Sequence, residues 1–366
     1  MRILISLFII IFATGTSCLN NDLGKTPAMG WNSYNHFGCT VNETIVKGIA
    51  DAMVEYGFLN AGYTYLNLDC GWSNHNRSQI NNSLIPNPNA FPNGMTDLAE
   101  YVHNKGLLFG IYGDAGTFDC VNNPGSLGFE ELDAQTFAAW GVDYLKYDNC
   151  NNSDISPIIR YSKMRDALIA TNRSIYYSIC NWGEFDPFIW GHEIGNSWRT
   201  TVDIHPSWDS IMFTLDQQRN ISNFSGPGGW NDPDMLEIGN GDLTFDEQKL
   251  RNPPNDTLAI ALNEKIIAIN QDPLGRAVEI VEFVDGSYEI WTGILSDGYV
   301  AVLFNRESIA SYITLNFETH CDIHGLIAVT DLWDADPFKG NYSFGYTAQI
   351  PSHGVIVLKL QVVKII

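Results

Sequence analysis

The sequence predicts an α/β protein of two domains: a large parallel β/α domain, closed as a (β/α)8-type barrel or left open as a doubly wound sheet, then a smaller antiparallel β-sandwich. Three observations predict it. The chain has 366 residues, more than one hydrophobic core usually serves. From about residue 28 to 270, runs of strand length alternate with helix-like stretches, and the runs are apolar almost throughout, as strands covered on both faces are. From about Val278 the texture changes to short β-rich runs separated by turn signals.

In chain order, the candidate parallel strands are Ala28 to Asn32, Tyr63 to Asp69, Leu107 to Asp114, Val142 to Asp148, Ser174 to Cys180, Trp198 to Ile204 and, more weakly, Gly229 to Met235. Between them, Glu43 to Tyr56 places Ile45, Ile49, Ala52 and Met53 at helical spacing, and Leu132 to Trp140 stops at Gly141, a residue suited to a left-handed C-terminal cap. One further helix is expected near Thr257 to Ile269. No glycine-rich phosphate loop follows the first strand, which argues against a dinucleotide-binding form. In the second domain Tyr288 to Trp291, Tyr299 to Phe304, Ile313 to Phe317 and Gly354 to Leu360 read as strands. The boundary falls near Asp272-Pro273-Leu274-Gly275, giving a (β/α) barrel domain over 22–275 and a β-domain over 276–366.

Residues 1–18 are expected to be a signal peptide: Arg2, an apolar run from Ile3 to Ala13 too short to cross a bilayer, then small residues at Gly15 to Ser17. Nine N-x-S/T sequons, starting at Asn42, Asn76, Asn81, Asn151, Asn172, Asn220, Asn223, Asn255 and Asn341, and six later cysteines fit a secreted, glycosylated and disulfide-bonded chain. The formal charge is −22, which repels nucleic acid and anionic membrane, so neither is an expected partner. No C-x-x-C pair or histidine cluster is present, and no metal or other cofactor is expected.

Acidic residues recur at the strands' C-terminal ends, where parallel barrels place catalytic groups: Asp69, Asp114, Asp148, Asp203, and Asp232 with Asp234. The same placement suits residues that cap the following helices. With no Ser-His pair, phosphate loop or metal cluster, paired carboxylates point to glycoside hydrolysis. Trp31, Trp72, Tyr112, Trp182 and Trp198 could offer flat walls to a sugar ring, or simply fill the core.

These residues sit in motifs that resemble the α-galactosidases of the melibiase family, glycoside hydrolase family 27. The motifs are Met29-Gly30-Trp31-Asn32-Ser33-Tyr34, Tyr65-Leu66-Asn67-Leu68-Asp69, Gly110-Ile111-Tyr112-Gly113-Asp114, Tyr144-Leu145-Lys146-Tyr147-Asp148, the run from Gly226 to Met235 and the run from Ala268 to Gly275. They cover nearly the whole chain in order. The resemblance implies a (β/α)8 barrel with a C-terminal antiparallel domain, and a metal-free retaining mechanism with Asp148 as nucleophile and Asp203 as general acid/base. It implies galactose contacts from Trp31, Asp69, Tyr112, Lys146, Arg199 and Asp234, with Cys180 and Trp182 beside the 2-position substituent. It further implies a Cys120–Cys150 disulfide, with Cys39–Cys70 a second pair and Cys180 a free thiol. Lys146 and Asp148 share a strand face, so the ammonium should favour an ionised nucleophile.

The chain departs from the family pattern twice. Where the family often has two adjacent Asp residues before a Cys, the run here is Asp69-Cys70-Gly71-Trp72. Between Met235 and the helix near Thr257 no apolar run reads as an eighth strand, so seven barrel strands and reduced stability are expected. The expected function is a secreted retaining α-galactosidase acting on terminal α-linked galactose in oligosaccharides, galactomannans or glycoconjugates. The alternatives are an α-N-acetylgalactosaminidase of the same fold and an inactive or destabilised sugar-binding homologue.

Overall fold

The computed structural model describes residues 19–238 and 255–363. Seven strands form one sheet in sequential order, every pair parallel: β1 (Gly30–Asn32), β2 (Tyr65–Leu68), β3 (Leu108–Asp114), β4 (Tyr144–Asp148), β5 (Tyr176–Ile179), β6 (Ser197–Arg199) and β7 (Trp230–Asp232). The helices that follow them are α1 (Tyr34–Phe37), α2 (Glu43–Glu55), α3 (Gly94–Asn104), α4 (Glu130–Trp140), α5 (Pro157–Ala170), α6 (Pro187–Trp190) and α7 (Trp208–Gln217). This is the curled sheet of a (β/α)8-type barrel. Tyr65, Tyr144 and Tyr176 show the curl: the rings of Tyr65 and Tyr144, from strands separated by β3, meet at 5.3 Å, and Tyr144 stacks on Tyr176 at 4.8 Å.

Strand and helix sequences explain their own burial. Leu66, Phe109, Ile111, Leu145, Tyr147 and Ile179 are almost wholly buried, as the continuous apolar runs require. Helix α2 turns Val46, Ile49, Ala50 and Met53 onto the sheet, and Asn42 caps it by accepting from the Ile45 N–H at 3.0 Å. Each large apolar side chain so buried contributes roughly 1.5–3 kcal/mol. Helix α4 ends at Gly141, whose φ of +82° is open to glycine at no steric cost.

Three expectations are corrected. The sixth strand stops at Arg199, so Asp203 sits on the loop beyond it rather than on the strand. Instead of one helix near Thr257 to Ile269 there are two, α8 (Asn255–Ala261) and α9 (Glu264–Asn270), because Asn263 leaves the helix and caps the second by accepting from Lys265 and Ile266. None of the strand-end aspartates caps a helix among the described residues; most fold back on the backbone just beyond their strand, as Asp69 does to Cys70 and Asp148 to Asn149. The segment read as lacking an eighth strand falls on residues 239–254, outside the described residues. Next to β7 and β1 the chain from Gly24 to Pro27 is pinned by Trp230 Nε1 to Gly24 O (2.7 Å) and Gln271 Nε2 to Pro27 O (2.9 Å).

The second domain has eight strands where four were legible: β8 (Glu279–Val284), β9 (Tyr288–Leu295), β10 (Gly298–Asn305), β11 (Ser311–Asn316), β12 (Ile327–Asp331), β13 (Phe338–Tyr342), β14 (Gly345–Ile350) and β15 (Val355–Val362), with a short helix α10 (Phe317–Cys321). Six form one antiparallel sheet, and β11 pairs with β14 across a core of Ile290, Leu303, Ile313, Leu315, Val329 and Leu358. An ion cluster ties this sandwich to the barrel. Arg219, just beyond α7, reaches Asp216 at 2.5 Å and the fully buried Glu289 at 2.8 Å, and Arg306 pairs with Asp216.

Candidate active site

The parallel strands deliver the predicted residues to one end of the sheet. Asp148, the last residue of β4, is buried, and its carboxylate is held by the Tyr112 hydroxyl at 3.0 Å and the Asn149 N–H at 3.1 Å. Its backbone carbonyl accepts from the Ala115 N–H at 2.9 Å and the Tyr161 hydroxyl at 3.0 Å. Burial pushes the Asp148 carboxyl up, and Lys146 pulls it back, to about 6. Lys146 shares the strand face as the two-residue period demands, but its direct ion-pair partner is Asp69, at 2.7 Å. Burial disfavours the ammonium, yet the acidic groups around it, Asp69 foremost, hold it protonated.

Asp69 follows β2 and is almost fully buried; besides Lys146 it accepts from Asn32 Nδ2 at 2.9 Å and the Cys70 N–H at 2.8 Å. Arg199 ends β6, and its guanidinium spans Asp234 at 2.8 Å and Asp203 at 3.1 Å, with the Cys180 sulfur at 3.7 Å. The side chain of Asp203 is 46% exposed whereas that of Asp234 is 5% exposed, so only the former stands open to water. The Tyr34 hydroxyl is raised by burial, then by Asp203, Asp69 and Asp148, which brings the charges of β2, β4 and the β6 loop to bear on one hydroxyl. Burial also lifts the Cys180 thiol well above its usual range.

Cys39–Cys70 and Cys120–Cys150 are both disulfides, and Cys180 and Cys321 are free. Ligand atoms of Asp114, Cys120, Asp148 and Cys150 lie within 4.8 Å of one another, but sulfurs joined in a disulfide are not thiolate ligands. Trp182, in left-handed backbone at φ +57°, lines an open cavity of about 590 Å³ together with Cys120, Cys150, Asn122 and Asn149 to Asp154. Of the aromatic walls considered, Trp72 and Trp198 are core: they are 2% and 0% exposed and donate to Tyr112 O and Asn231 Oδ1. Trp31 is half-buried and meets Phe37 edge-on at 6.1 Å. Sequence reasoning did not single out Asn32, Tyr34 or Asn149 as site residues. Asn32 and Tyr34 lay inside a quoted motif; Asn149 carried no signal of its own.

The comparisons with known proteins agree with this geometry. The family model for alpha galactosidase A matches residues 26–272, and that for the alpha galactosidase C-terminal beta sandwich domain matches residues 285–360. Alpha-galactosidase 3 of Arabidopsis thaliana is 46% identical over 361 residues, covering 92% of this chain and 82% of its own. The alpha-galactosidase of Cyamopsis tetragonoloba is 45% identical over 354 residues, covering 91% and 85%. Among solved structures, alpha-galactosidase I from Mortierella vinacea superposes with a TM-score of 0.89 at 33% identity, covering 94% of this chain and 98% of its own. A parallel barrel sheet with buried carboxylates at its C-terminal mouth, a β-sandwich behind it and these relatives along nearly its whole length place the chain in the α-galactosidase family, glycoside hydrolase family 27.

Proposed function

We propose that this α-galactosidase works with retention through Asp148 and Asp203. The observation that carries the reading is the set of donors on Asp148: the Tyr112 hydroxyl and the Asn149 N–H bond its carboxylate and Lys146 lies on the same strand face, all favouring the ionised form a nucleophile needs, while Asp203 stands open to water on the loop beyond β6. Asp148 attacks the anomeric carbon as the glycosidic bond breaks, and the leaving oxygen takes the proton of Asp203. Asp203 then removes a proton from water, the water oxygen bonds to the anomeric carbon, and the ester to Asp148 breaks. Asp69, Lys146, Arg199, Asp234, Tyr112 and Trp31 surround the galactose in this reading. Cys180 and Trp182 leave room for a 2-hydroxyl but not for a 2-acetamido group, which favours galactose over N-acetylgalactosamine.

The substrates are α-galactosides; an α-galactosidase from Saccharomyces cerevisiae that superposes on this chain with a TM-score of 0.85 was solved with raffinose. Oligosaccharides, galactomannans and glycoconjugates ending in α-galactose all fit the class. Two disulfides support passage through an oxidising compartment and hence secretion. Azide separates the catalytic roles. With an activated aryl α-galactoside, Asp148→Ala should give the inverted glycosyl azide and Asp203→Ala the retained one; the opposite pattern would exchange the assignments.

A further inference from the structure

Asp114, the last residue of β3, takes no part in the mechanism above, yet it is 1% exposed and stands in register with Asp148 across the β3–β4 ladder. Its Oδ1 accepts from the Gly116 N–H at 2.6 Å and its Oδ2 from the Cys150 N–H at 3.0 Å. The two loops it joins are packed backbone to backbone. The Ala115 N–H donates to Asp148 O at 2.9 Å and the Thr117 N–H to Asn151 O at 3.1 Å. A Cβ on Gly116 would lie 1.9 Å from Cys150 O, so no larger residue fits there. The Cys120–Cys150 disulfide closes the same junction, with Cys120 Sγ 3.2 Å from Asp148 Oδ2 and 3.9 Å from Asp114 Oδ2.

We propose that Asp114 is a positioning residue for the nucleophile: a neutral carboxylic acid whose two oxygens accept from the backbone of both loops and so fix the turn that carries Asp148. This rests on the reading of Asp148 as nucleophile. Carboxylate oxygens of the two residues lie within 4.8 Å in a buried setting, where two like charges cannot both persist. Lys146, Tyr112 and the Asn149 N–H all favour the charged form of Asp148. The groups facing Asp114 are Asp148 and Tyr147 from β4, Asp119 from its own loop, Tyr161 from α5 and Tyr112 on its own strand. Burial first, then Asp148, pushes Asp114 up and the Gly116 and Cys150 N–H bonds pull it back, to about 8, so it keeps its proton where Asp148 has lost its own. An amide offers one acceptor for two N–H groups, and an ionised carboxylate would set a second charge beside the nucleophile.

The test is Asp114→Asn in the full chain, assayed with an aryl α-galactoside. The expected result is a roughly 10- to 100-fold loss of kcat with KM little changed, the scale on which a misplaced catalytic group acts. The acidic limb of kcat/KM should stay within about 0.3 pH unit of wild type, because the group replaced carries no charge there. Unchanged kcat overturns the positioning role, and a downward move of the limb by about one unit or more overturns the neutral form. Should the variant not fold, carbon-13 aspartate labelling of the wild type and of Asp148→Asn supplies the second readout. A carboxyl titrating near pH 8 should move to lower pH when Asp148 is neutralised; no aspartate titrating above neutrality overturns the proposal. The azide products of Asp148→Ala test the nucleophile reading separately.

Discussion

Replacing Tyr112 by Phe isolates one hydrogen bond to Asp148, the proposed nucleophile, while keeping the ring that packs at 2% exposure. The Tyr112 hydroxyl donates to Asp148 Oδ2 at 3.0 Å and favours the ionised acid; burial works against it, and the outcome is a carboxyl at about 6. A hydrogen bond to a charged group is worth roughly 1.5–3 kcal/mol, and each pKa unit corresponds to about 1.4 kcal/mol, so its loss should raise Asp148 by roughly one to two units. A nucleophile must be ionised, so activity is present above its pKa and lost as pH falls through it. The variant's acidic limb of kcat/KM, which reports the free enzyme, should therefore move upward by that amount. Activity on the acidic side falls by about 10- to 100-fold, while the plateau at higher pH changes far less. Initial rates with an aryl α-galactoside at low concentration, taken across the acidic and neutral range, read this directly. A limb that stays in place or moves to lower pH would refute the reasoning, because the group that sets it would not be an Asp148 held by Tyr112.

Glu289→Ala strips the acid from between Arg219 and Arg306 and leaves the Trp291 indole N–H, 2.8 Å from Glu289 Oε2, without its acceptor. Breaking such a buried cluster costs about 3–5 kcal/mol, to be read as a lower denaturation midpoint with the same limb positions in the pH profile; an unchanged midpoint would deny the cluster its role in docking the domains. Asp114 and Asp148 bind protons more tightly folded than unfolded, so the stability they add is fully present below the unfolded carboxyl pKa and is lost as pH rises through about 6 and about 8. Melting temperatures should decline over that interval in the wild type and decline less in Asp114→Asn; parallel curves would contradict this. Substituting smaller residues for both Cys180 and Trp182 should admit an aryl 2-acetamido-α-galactoside, and unchanged selectivity would remove the pair from substrate recognition.

Alternation of apolar runs with helical stretches made the seven described barrel strands legible, because strands covered on both faces carry an unbroken apolar signal. Boundaries were less so. Trp198 to Ile204 reads as one strand, yet pairing with β7 ends at Arg199, and Val202 beyond it is 58% exposed. The C-terminal strands alternate in burial, and β13 and β14 carry Gly, Asn, Lys and Gln, so short-range pattern could not separate them from turns. At the site, position along a strand was legible but partnership was not. Sequence spacing placed Lys146 beside Asp148, whereas the ammonium bonds Asp69 from two strands away, a contact that only the curvature of the sheet creates. Asp114 looked like one strand-end acid among several, since its two backbone partners lie on loops that no local pattern brings together.

The bridge between Cys120 and Cys150 also makes the surroundings of Asp148, the proposed nucleophile, depend on the redox state in which the chain folds. Its sulfur touches the Asp148 carboxylate at 3.2 Å, and an oxidised sulfur has no hydrogen to offer. Made in a reducing cytosol, the same position would hold a free thiol, and the two loops would lose their covalent tie. Recombinant material from a reducing host would then be a weak enzyme even where its fold is complete, and reoxidation, not refolding, would be the step that restores it.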